Sequence, residues 1–220
     1  MEREQGMTDF QTILMGMEIA GIIAFSISGA MIAIAAGVDV FGVMLLGLIT
    51  ALGGGTLRDT LLGLVPSGNF YNYPEIILSV MTALVVFWIA YTHKNYYDSH
   101  AELLDRLNNV VDSIGLGIFS VYGVQETLQS GCPRNFFLAI FMGMITGVGG
   151  GIIRDMMVQR MPMVISKHIY AVASLVGSAC YFFCVVHGMQ QSAAALLGAG
   201  LVFVIRMLAT KLKLNLPRIR

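Results

Sequence analysis

Two stretches of the sequence decide the fold, GGGTLRD at residues 53–59 and GGGIIRD at residues 149–155. Each joins three consecutive glycines to an Arg-Asp pair, inside an apolar run of nearly the length that a membrane span needs. A glycine costs a helix about 1 kcal/mol relative to alanine, and an ionisable side chain within a span costs at least about 2.5–3.5 kcal/mol. A pattern this unfavourable that occurs twice indicates a structural or functional requirement.

The two stretches belong to a longer internal repeat. Residues 41–66 align without gaps on residues 137–162, and upstream residues 18–30 resemble residues 112–124. Beyond the motif itself, the matched pairs include Glu18 with Asp112, Ser26 with Ser120, Thr50 with Thr146, and Pro66 with Pro162. The chain therefore consists of two related parts followed by a C-terminal segment.

Composition places the chain in a membrane. Of its 220 residues 56% are hydrophobic and only 12% are charged, whereas soluble domains carry about 25% charged residues. The mean hydropathy is +0.76. Seven apolar runs approach the length of a spanning helix: 13–36, 40–57, 76–91, 110–128, 136–153, 164–186 and 193–209. We predict an all-α integral membrane protein with seven transmembrane helices.

The repeat predicts the topology. Each copy contains three predicted spans, an odd number, so the second copy must enter the membrane from the opposite side. Inverted repeats of this kind have a central pathway between their halves. The predicted segments are a short extracytoplasmic N-terminus (1–12), the first repeat (13–92), a cytoplasmic loop (93–107), the inverted second repeat (108–187), a seventh helix (188–210) and a basic cytoplasmic tail (211–220). We expect the seventh helix to brace the bundle or an oligomer contact.

Lysine and arginine are distributed unevenly between the two predicted sides. The side with the C-terminus holds Lys94, Arg106, Arg160, Lys167, Lys211, Lys213, Arg218 and Arg220, and the other side holds Arg3 and Arg134. Positive residues are retained in the cytoplasm, so we predict a cytoplasmic C-terminus and an external N-terminus. Arg206 lies one turn before the end of the last span, and we expect it to snorkel to the cytoplasmic side.

The glycines and charges suggest a pathway. Consecutive glycines permit a bend, an unwound turn or a close backbone approach, and we expect Gly53, Gly54 and Gly55, with Gly149, Gly150 and Gly151, to break two helices near the midplane. Adjacent helical residues point about 100° apart. Arg58 should therefore meet Glu18, Asp112 or an aspartate of the other repeat rather than Asp59. The inversion places the Arg58–Asp59 and Arg154–Asp155 pairs toward opposite mouths of the pathway.

Two more conservative interpretations remain open. The glycines are also what helix packing through small residues requires, and each Arg-Asp pair could be an ion pair that only locks the fold. The hydroxyls of Thr50, Thr146, Ser26 and Ser120 could line the path, although a hydroxyl in a helix often bonds to its own backbone.

Several classes of function are excluded. The formal net charge is +0, which gives no basic field for nucleic acid. We interpret Cys132, Cys180 and Cys184 as small apolar residues, and we expect no metal and no cofactor. The motifs HExxH and GxSxG of intramembrane or hydrolytic enzymes are absent, so we do not expect an enzyme. The first ten residues lack the features of a cleaved signal peptide, so we expect the first span to be retained.

The duplicated GGGxxRD motif resembles the trimeric intracellular cation channel family, in particular its prokaryotic members, which overlap with the glycine-transporter-like domains. The resemblance covers roughly residues 18–186. It implies a seven-helix protomer in the bacterial inner membrane, surrounded by membrane lipid, and a homotrimer with one pore in each subunit. K⁺, and Na⁺ as a second candidate, would be the permeant ions. Glu18 departs from the aspartate expected there, whereas Asp112 retains it.

By this resemblance the second and fifth spans are the bent pore helices, and the two motifs carry the pore and gating residues. An arginine paired with an aspartate is nearly neutral, whereas an unpaired one opposes cations, so an Arg-Asp pair with two arrangements could gate the pore. The alternative is a secondary transporter of a small amino acid such as glycine, because broken helices in an inverted repeat also suit alternating access.

Overall fold

The computed structural model describes residues 2–131, 135–166 and 169–213. In this part of the chain we find nine α-helices, a short 3-10 helix at Gly68–Phe70, and no strand. The α-helices are α1 (Glu2–Ala35), α2 (Val40–Leu61), α3 (Tyr73–Thr92), α4 (Lys94–Ser99), α5 (Ala101–Gln129), α6 (Phe136–Met157), α7 (Met163–Ser166), α8 (Tyr170–Val186) and α9 (Gln191–Lys211). Cys132, Arg134, Lys167, Arg218 and Arg220, which entered the predictions above, lie outside the described residues.

Six of these helices are long and apolar enough to cross a membrane, namely α1, α2, α3, α5, α6 and α9. The predicted sixth span corresponds to α8, an apolar helix of 17 residues that is shorter than the others. It is shorter than the predicted run because Met163–Ser166 forms the separate helix α7. The prediction of an all-helical membrane protein is confirmed.

The helices extend beyond the apolar runs. α1 begins at Glu2, so most of the predicted N-terminal tail is helical, and the predicted loop 93–107 contains α4 and the first turns of α5. Hydropathy bounds the part of a helix that suits lipid, whereas the helix itself continues as long as its backbone hydrogen bonds are made.

The centre of the bundle is the crossing of α2 and α6. A Cβ atom at Gly54 would overlap the carbonyl oxygen of Thr146, and a Cβ at Gly150 would overlap that of Thr50. The two backbones are therefore in direct contact, an approach that only glycine permits. Both helices continue through the glycines without an unwound turn. Our expectation that the glycines break the helices is wrong. The glycines provide a helix surface without side chains for the close approach, and the backbone hydrogen bonds within each helix are kept.

Helix α5 fills the space around this crossing. It packs against α1, α6, α8 and α9, and its middle is almost fully buried. Hydrogen bonds of serine side chains connect α1 to α3 and α5 to α8. Ser26 of α1 donates to the backbone carbonyl of Ser79 on α3, and Ser120 of α5 shares a 2.6 Å hydrogen bond with Ser174 of α8.

The backbone contact predicts which glycines cannot change. In Gly54→Ala the new methyl group meets a carbonyl that belongs to another helix, so we expect destabilisation of about 1–3 kcal/mol from overpacking. Gly200→Ala is the matched control, because that glycine lies in helix α9 with nothing within 4 Å of the position of its Cβ. Thermal unfolding of the purified protein in detergent measures both. An equal or higher melting temperature for Gly54→Ala than for Gly200→Ala would contradict the contact.

Candidate functional site

Charged residues gather at the two ends of the α2–α6 crossing. We define the C-face as the end of the bundle where α6 and α9 finish and α5 and α8 begin. The N-face is the end where α2 and α5 finish and α3 begins. Arg154 and Asp155 lie at the C-face and Arg58 and Asp59 at the N-face. The two motifs thus lie at opposite ends of one crossing, where each forms a cluster with residues of other helices.

At the C-face, Arg154 is fully buried and bonds to residues of three helices, although its Nη2 has no hydrogen-bond partner. Its Nη1 donates to Asp112 Oδ1 on α5 at 2.9 Å and to Ser28 Oγ on α1 at 2.7 Å. Its Nε donates to its neighbour Asp155 at 2.8 Å. Tyr170 of α8 donates its hydroxyl to the second oxygen of Asp112 at 2.8 Å. These residues form a buried ion-pair network between α1, α5, α6 and α8.

A second arginine joins this network from α9. Arg206 is only 2% exposed; its Nη2 donates to Asn109 Oδ1 at 2.7 Å, and its guanidinium lies 4.7 Å from the centre of the Tyr170 ring. Our expectation that Arg206 snorkels to the cytoplasmic side is wrong, because Tyr170 and Asn109 supply partners within the protein. The seventh predicted span therefore contributes a charge to the interior.

At the N-face, Arg58 bonds to its own neighbour. Its Nε and Nη2 donate to Asp59 Oδ1 at 2.9 and 2.7 Å, and its guanidinium lies 5.7 Å from the centre of the Tyr122 ring. Our prediction that Arg58 prefers a residue of another span to Asp59 is wrong. The pair lies in the last turn of α2, where the long arginine side chain can fold back onto the next residue. Arg154, by contrast, bonds both to Asp112 of another helix and to its own neighbour Asp155.

Both aspartates also anchor the segment that follows their helix. Asp59 Oδ2 accepts a 2.6 Å hydrogen bond from Ser67 Oγ, and Asp155 Oδ2 accepts a 2.9 Å bond from the backbone N–H of Met163. Each helix ends just before a residue in the left-handed region, Gly63 with φ 76° and Gln159 with φ 55°. The aspartates thus fix the chain as it turns back into the bundle, a structural role that we did not predict from the sequence.

The N-face cluster surrounds a small cavity, whereas the pocket found at the C-face lies beside Asp105 and Asn108 and does not include the charged groups of the C-face cluster. The lining of the N-face cavity includes Glu18, Arg58, Glu75, Tyr122 and Thr146. The centre of a water molecule can occupy about 10 Å³ of this cavity, so the cavity has room for about one water. The carboxyl groups of Glu18 and Glu75 both line this cavity and are close enough to interact electrostatically. Two carboxylates that share a site oppose each other's ionisation, and a shared proton or a cation between them relieves this repulsion.

A third glutamate adds to the acidic groups of the N-face cluster. Glu126 of α5 lies close enough to Arg58 and Glu18 to interact with both. Arg58 Nη1 is buried and has no hydrogen-bond partner. The N-face cluster therefore holds three glutamates against one arginine that Asp59 already neutralises.

The two clusters use corresponding positions of the sequence repeat. Asp112, Arg154 and Ser28 at the C-face match Glu18, Arg58 and Tyr122 at the N-face, by the offsets of the two aligned segments. Ser79 bonds to Ser26 in the first copy, as Ser174 bonds to Ser120 in the second. When α3 is aligned with α8 on these two serines, Glu75 corresponds to Tyr170. The same framework thus carries a neutral, closed network at one end and an acidic cavity at the other.

The predicted hydroxyls take part mainly in helix packing. Thr50 and Thr146 donate to the backbone carbonyls of Leu46 and Met142, four residues earlier, at 2.6 and 2.7 Å. Ser26 and Ser120 bond to other helices as described above, and Ser120 also donates to its own helix. Among the four, Thr146 also lines the N-face cavity. These hydroxyls are therefore bonded mainly to backbone carbonyl groups, and that of Ser120 also to the Ser174 side chain.

Sequence reasoning missed most of the residues that complete the clusters. Ser28, Glu75, Tyr122, Glu126, Tyr170 and Arg206 did not enter the predicted site. A usable signal existed for Glu126 and Arg206, since both are ionisable residues within predicted spans and such residues normally face a partner. In the described part of the chain, His, Cys, Asp and Glu form no group of three that could hold a metal ion.

Comparisons with known proteins give the same fold. The family model described as "Glycine transporter" matches residues 15–91 and 109–186. A membrane protein of Vibrio cholerae, of the UPF0126 group, is 33% identical over 94% of this chain and 82% of its own length. The Escherichia coli K12 inner membrane protein YadS is 32% identical over 91% of this chain and 93% of its own.

Solved channel structures also match. The TRIC trimeric intracellular cation channel orthologue from Rhodobacter sphaeroides superposes with a TM-score of 0.82 and 28% identity, covering 92% of this chain and 100% of that one. A prokaryotic TRIC channel crystallised in 0.5 M KCl gives a TM-score of 0.81 and 32% identity over 94% of this chain and 100% of that one. These matches are to ion channels, and the chain is not an enzyme. The chain belongs to the prokaryotic TRIC cation channel family, whose sequence model is the one described as a glycine transporter.

Proposed function

We propose that this protein is a monovalent-cation channel that prefers K⁺. The pore runs within each protomer along the crossing of α2 and α6, and three protomers assemble in the bacterial inner membrane. The N-face is external and the C-face cytoplasmic, in accordance with the distribution of lysine and arginine. The two repeats are inverted, so that one Arg-Asp pair lies toward each mouth of the pore.

The acidic N-face cavity is the observation that carries this proposal. The acidic side chains Glu18, Glu75 and Glu126 outnumber the arginine among them, and Glu18 and Glu75 line the cavity beside the α2–α6 crossing. A cleft of one charge sign with low-dielectric walls concentrates the opposite ion, and rings of carboxylates are a common selectivity element of cation channels. The cavity therefore favours cations over anions.

The C-face network supports a gate. Arg154 blocks the end of the crossing while it bonds to Asp112 and Asp155, and its side chain is 0% exposed. Removing one partner from such a buried pair costs about 3–5 kcal/mol. An opening motion must therefore exchange these bonds for others, which keeps the closed arrangement dominant.

A second candidate function rests on one feature of the same cavity. The unpartnered Arg58 Nη1 and the carboxyls of Glu18 and Glu75 face a common space, and together they would suit the carboxylate and the ammonium group of an amino acid. A secondary transporter of glycine would use such a site. The room for about one water in the closed arrangement favours the channel over the transporter.

A recording in a planar bilayer separates the two functions. We expect the purified protein in asymmetric KCl to give discrete unitary currents that reverse near the K⁺ equilibrium potential. Saturable glycine uptake into proteoliposomes, with exchange of labelled substrate and a silent bilayer, would replace the channel by a transporter.

The acidic cavity predicts a dependence on salt. In the double variant Glu18→Gln with Glu75→Gln, we expect unitary K⁺ conductance at low ionic strength to fall by about twofold or more, because the local cation concentration is lost. The difference should shrink in 1 M KCl, where charges are screened within about 3 Å. The control is Glu102→Gln. The side chain of Glu102 is 84% exposed, and it lies in the first turn of α5, at the C-face and away from the cavity. Equal conductance of both variants at low ionic strength would show that ions do not pass the cavity.

The C-face network predicts an effect on gating. We expect the paired substitution Arg154→Gln with Asp112→Asn to raise the open probability, because it removes the ion pair without leaving an uncompensated buried charge. Single-channel records measure the open probability, and the melting temperature shows whether the variant is folded. A folded double variant with wild-type gating would contradict the role of Arg154.

A further inference from the structure

We infer that Arg206 on α9 is the positioning residue that holds the C-face gate closed, acting through Tyr170; this inference rests on the proposed channel function. Arg206 lies outside both repeats. Its hydrogen bond goes to Asn109, whereas Arg154 bonds to Asp112, Ser28 and Asp155. The influence of Arg206 passes along a chain of contacts from α9 to α8, α5 and α6.

The first step is the attachment of Arg206 itself. Its Nη2 donates to Asn109 Oδ1 at 2.7 Å, and Asn109 in turn donates to Thr210 Oγ1 of α9 at 3.2 Å. Asn109 therefore holds α9 to the start of α5 at two points. A planar guanidinium fixed in this way has little freedom to rotate.

The second step is the Tyr170 ring. The guanidinium stacks at 4.7 Å from its centre, and Tyr170 is 1% exposed. The ring is thereby held in the orientation in which its hydroxyl reaches Asp112 Oδ2 at 2.8 Å. Asp112 then presents its other oxygen to Arg154 at 2.9 Å. Three side chains, those of Arg206, Tyr170 and Asp112, thus transmit the position of α9 to the gating arginine.

The third step is the balance of charge. The C-face cluster contains Arg154 and Arg206 against Asp112 and Asp155, all at most 3% exposed. The charge of Arg206 is close enough to act on the Asp112 carboxylate. Without Arg206 the cluster would carry an excess of buried negative charge, which a cation or water entering from the C-face would relieve.

The N-face provides an internal comparison. It has the corresponding carboxylate, arginine and hydroxyl in Glu18, Arg58 and Tyr122, but α9 has no counterpart there and Glu75 replaces Tyr170. Glu18, Arg58 and Glu75 line a small cavity at that end, whereas the charged groups of the C-face cluster are all at most 3% exposed and stay outside the pocket that lies beside Asp105 and Asn108. Arg206 and Tyr170 are therefore among the residues that distinguish the two clusters.

The experiment compares the open probability of four proteins in planar bilayers. In Arg206→Gln we expect about a tenfold higher open probability, because a hydrogen bond of a charged group and the stack are lost, with unitary conductance unchanged. Arg206→Lys keeps the charge but not the planar stack, so it should restore closure in part. The matched control is Arg106→Gln, which removes a charge from the same end of the bundle at a side chain that is 75% exposed.

The order of the contacts adds a test of mechanism. Tyr170→Phe removes only the hydroxyl that reaches Asp112, and we expect it to raise the open probability. Combining it with Arg206→Gln should add less than the sum of the two effects, since residues in one network are not additive. If Arg206→Gln does not fold, Arg206→Lys and Tyr170→Phe still report on the same chain of contacts.

The outcomes separate the inference from the proposed function. Currents from the wild-type protein with the same gating in Arg206→Gln and Arg106→Gln would overturn the role of Arg206 and leave the channel intact. Full additivity of the double variant would overturn the route through Tyr170. Silence of the wild-type protein and of every variant would overturn the channel, and the inference with it.

Discussion

The structure depends on the backbone contact between α2 and α6. Gly54 and Gly150 place each helix against a carbonyl group of the other, and side chains of any size would separate them. This contact brings the two Arg-Asp motifs onto a single axis, one at each end of the crossing. Since it replaces a layer of side chains by glycine, it also places the surrounding helices close enough for Arg154 to reach both α1 and α5.

The two clusters around this contact occupy corresponding positions of the sequence repeat, whereas their charges differ. At the C-face, two arginines and two aspartates lie in a buried cluster and neutralise one another. At the N-face, Glu75 and Glu126 add negative charge around a small cavity. The difference is produced partly by substitutions within the repeats and partly by α9, which supplies Arg206 at one end alone. The residues that differ between the two copies of the repeat, together with Arg206, thus make the two ends of the crossing unlike.

The aspartates of the two motifs show how one residue can serve stability and function together. Each accepts a bond from its neighbouring arginine and another from the segment that follows its helix. A motion that releases the arginine would therefore also loosen the return of the chain into the bundle. This coupling provides a physical reason why the arginine and the aspartate are adjacent in the sequence, although adjacent side chains diverge on a helix.

The sequence by itself determined the membrane class, the internal repeat and the location of charge in Arg58, Asp59, Asp112, Arg154 and Asp155. Hydropathy and a duplicated motif are properties of the chain that do not depend on which helices touch. Only the tertiary structure decided that the glycines serve contact rather than a break and that Arg58 bonds to Asp59. It also decided that Glu75, Tyr170 and Arg206 complete the clusters. Each of these depends on contacts between helices distant in the sequence, where the partner of a buried charge is chosen by proximity and desolvation rather than by sequence spacing.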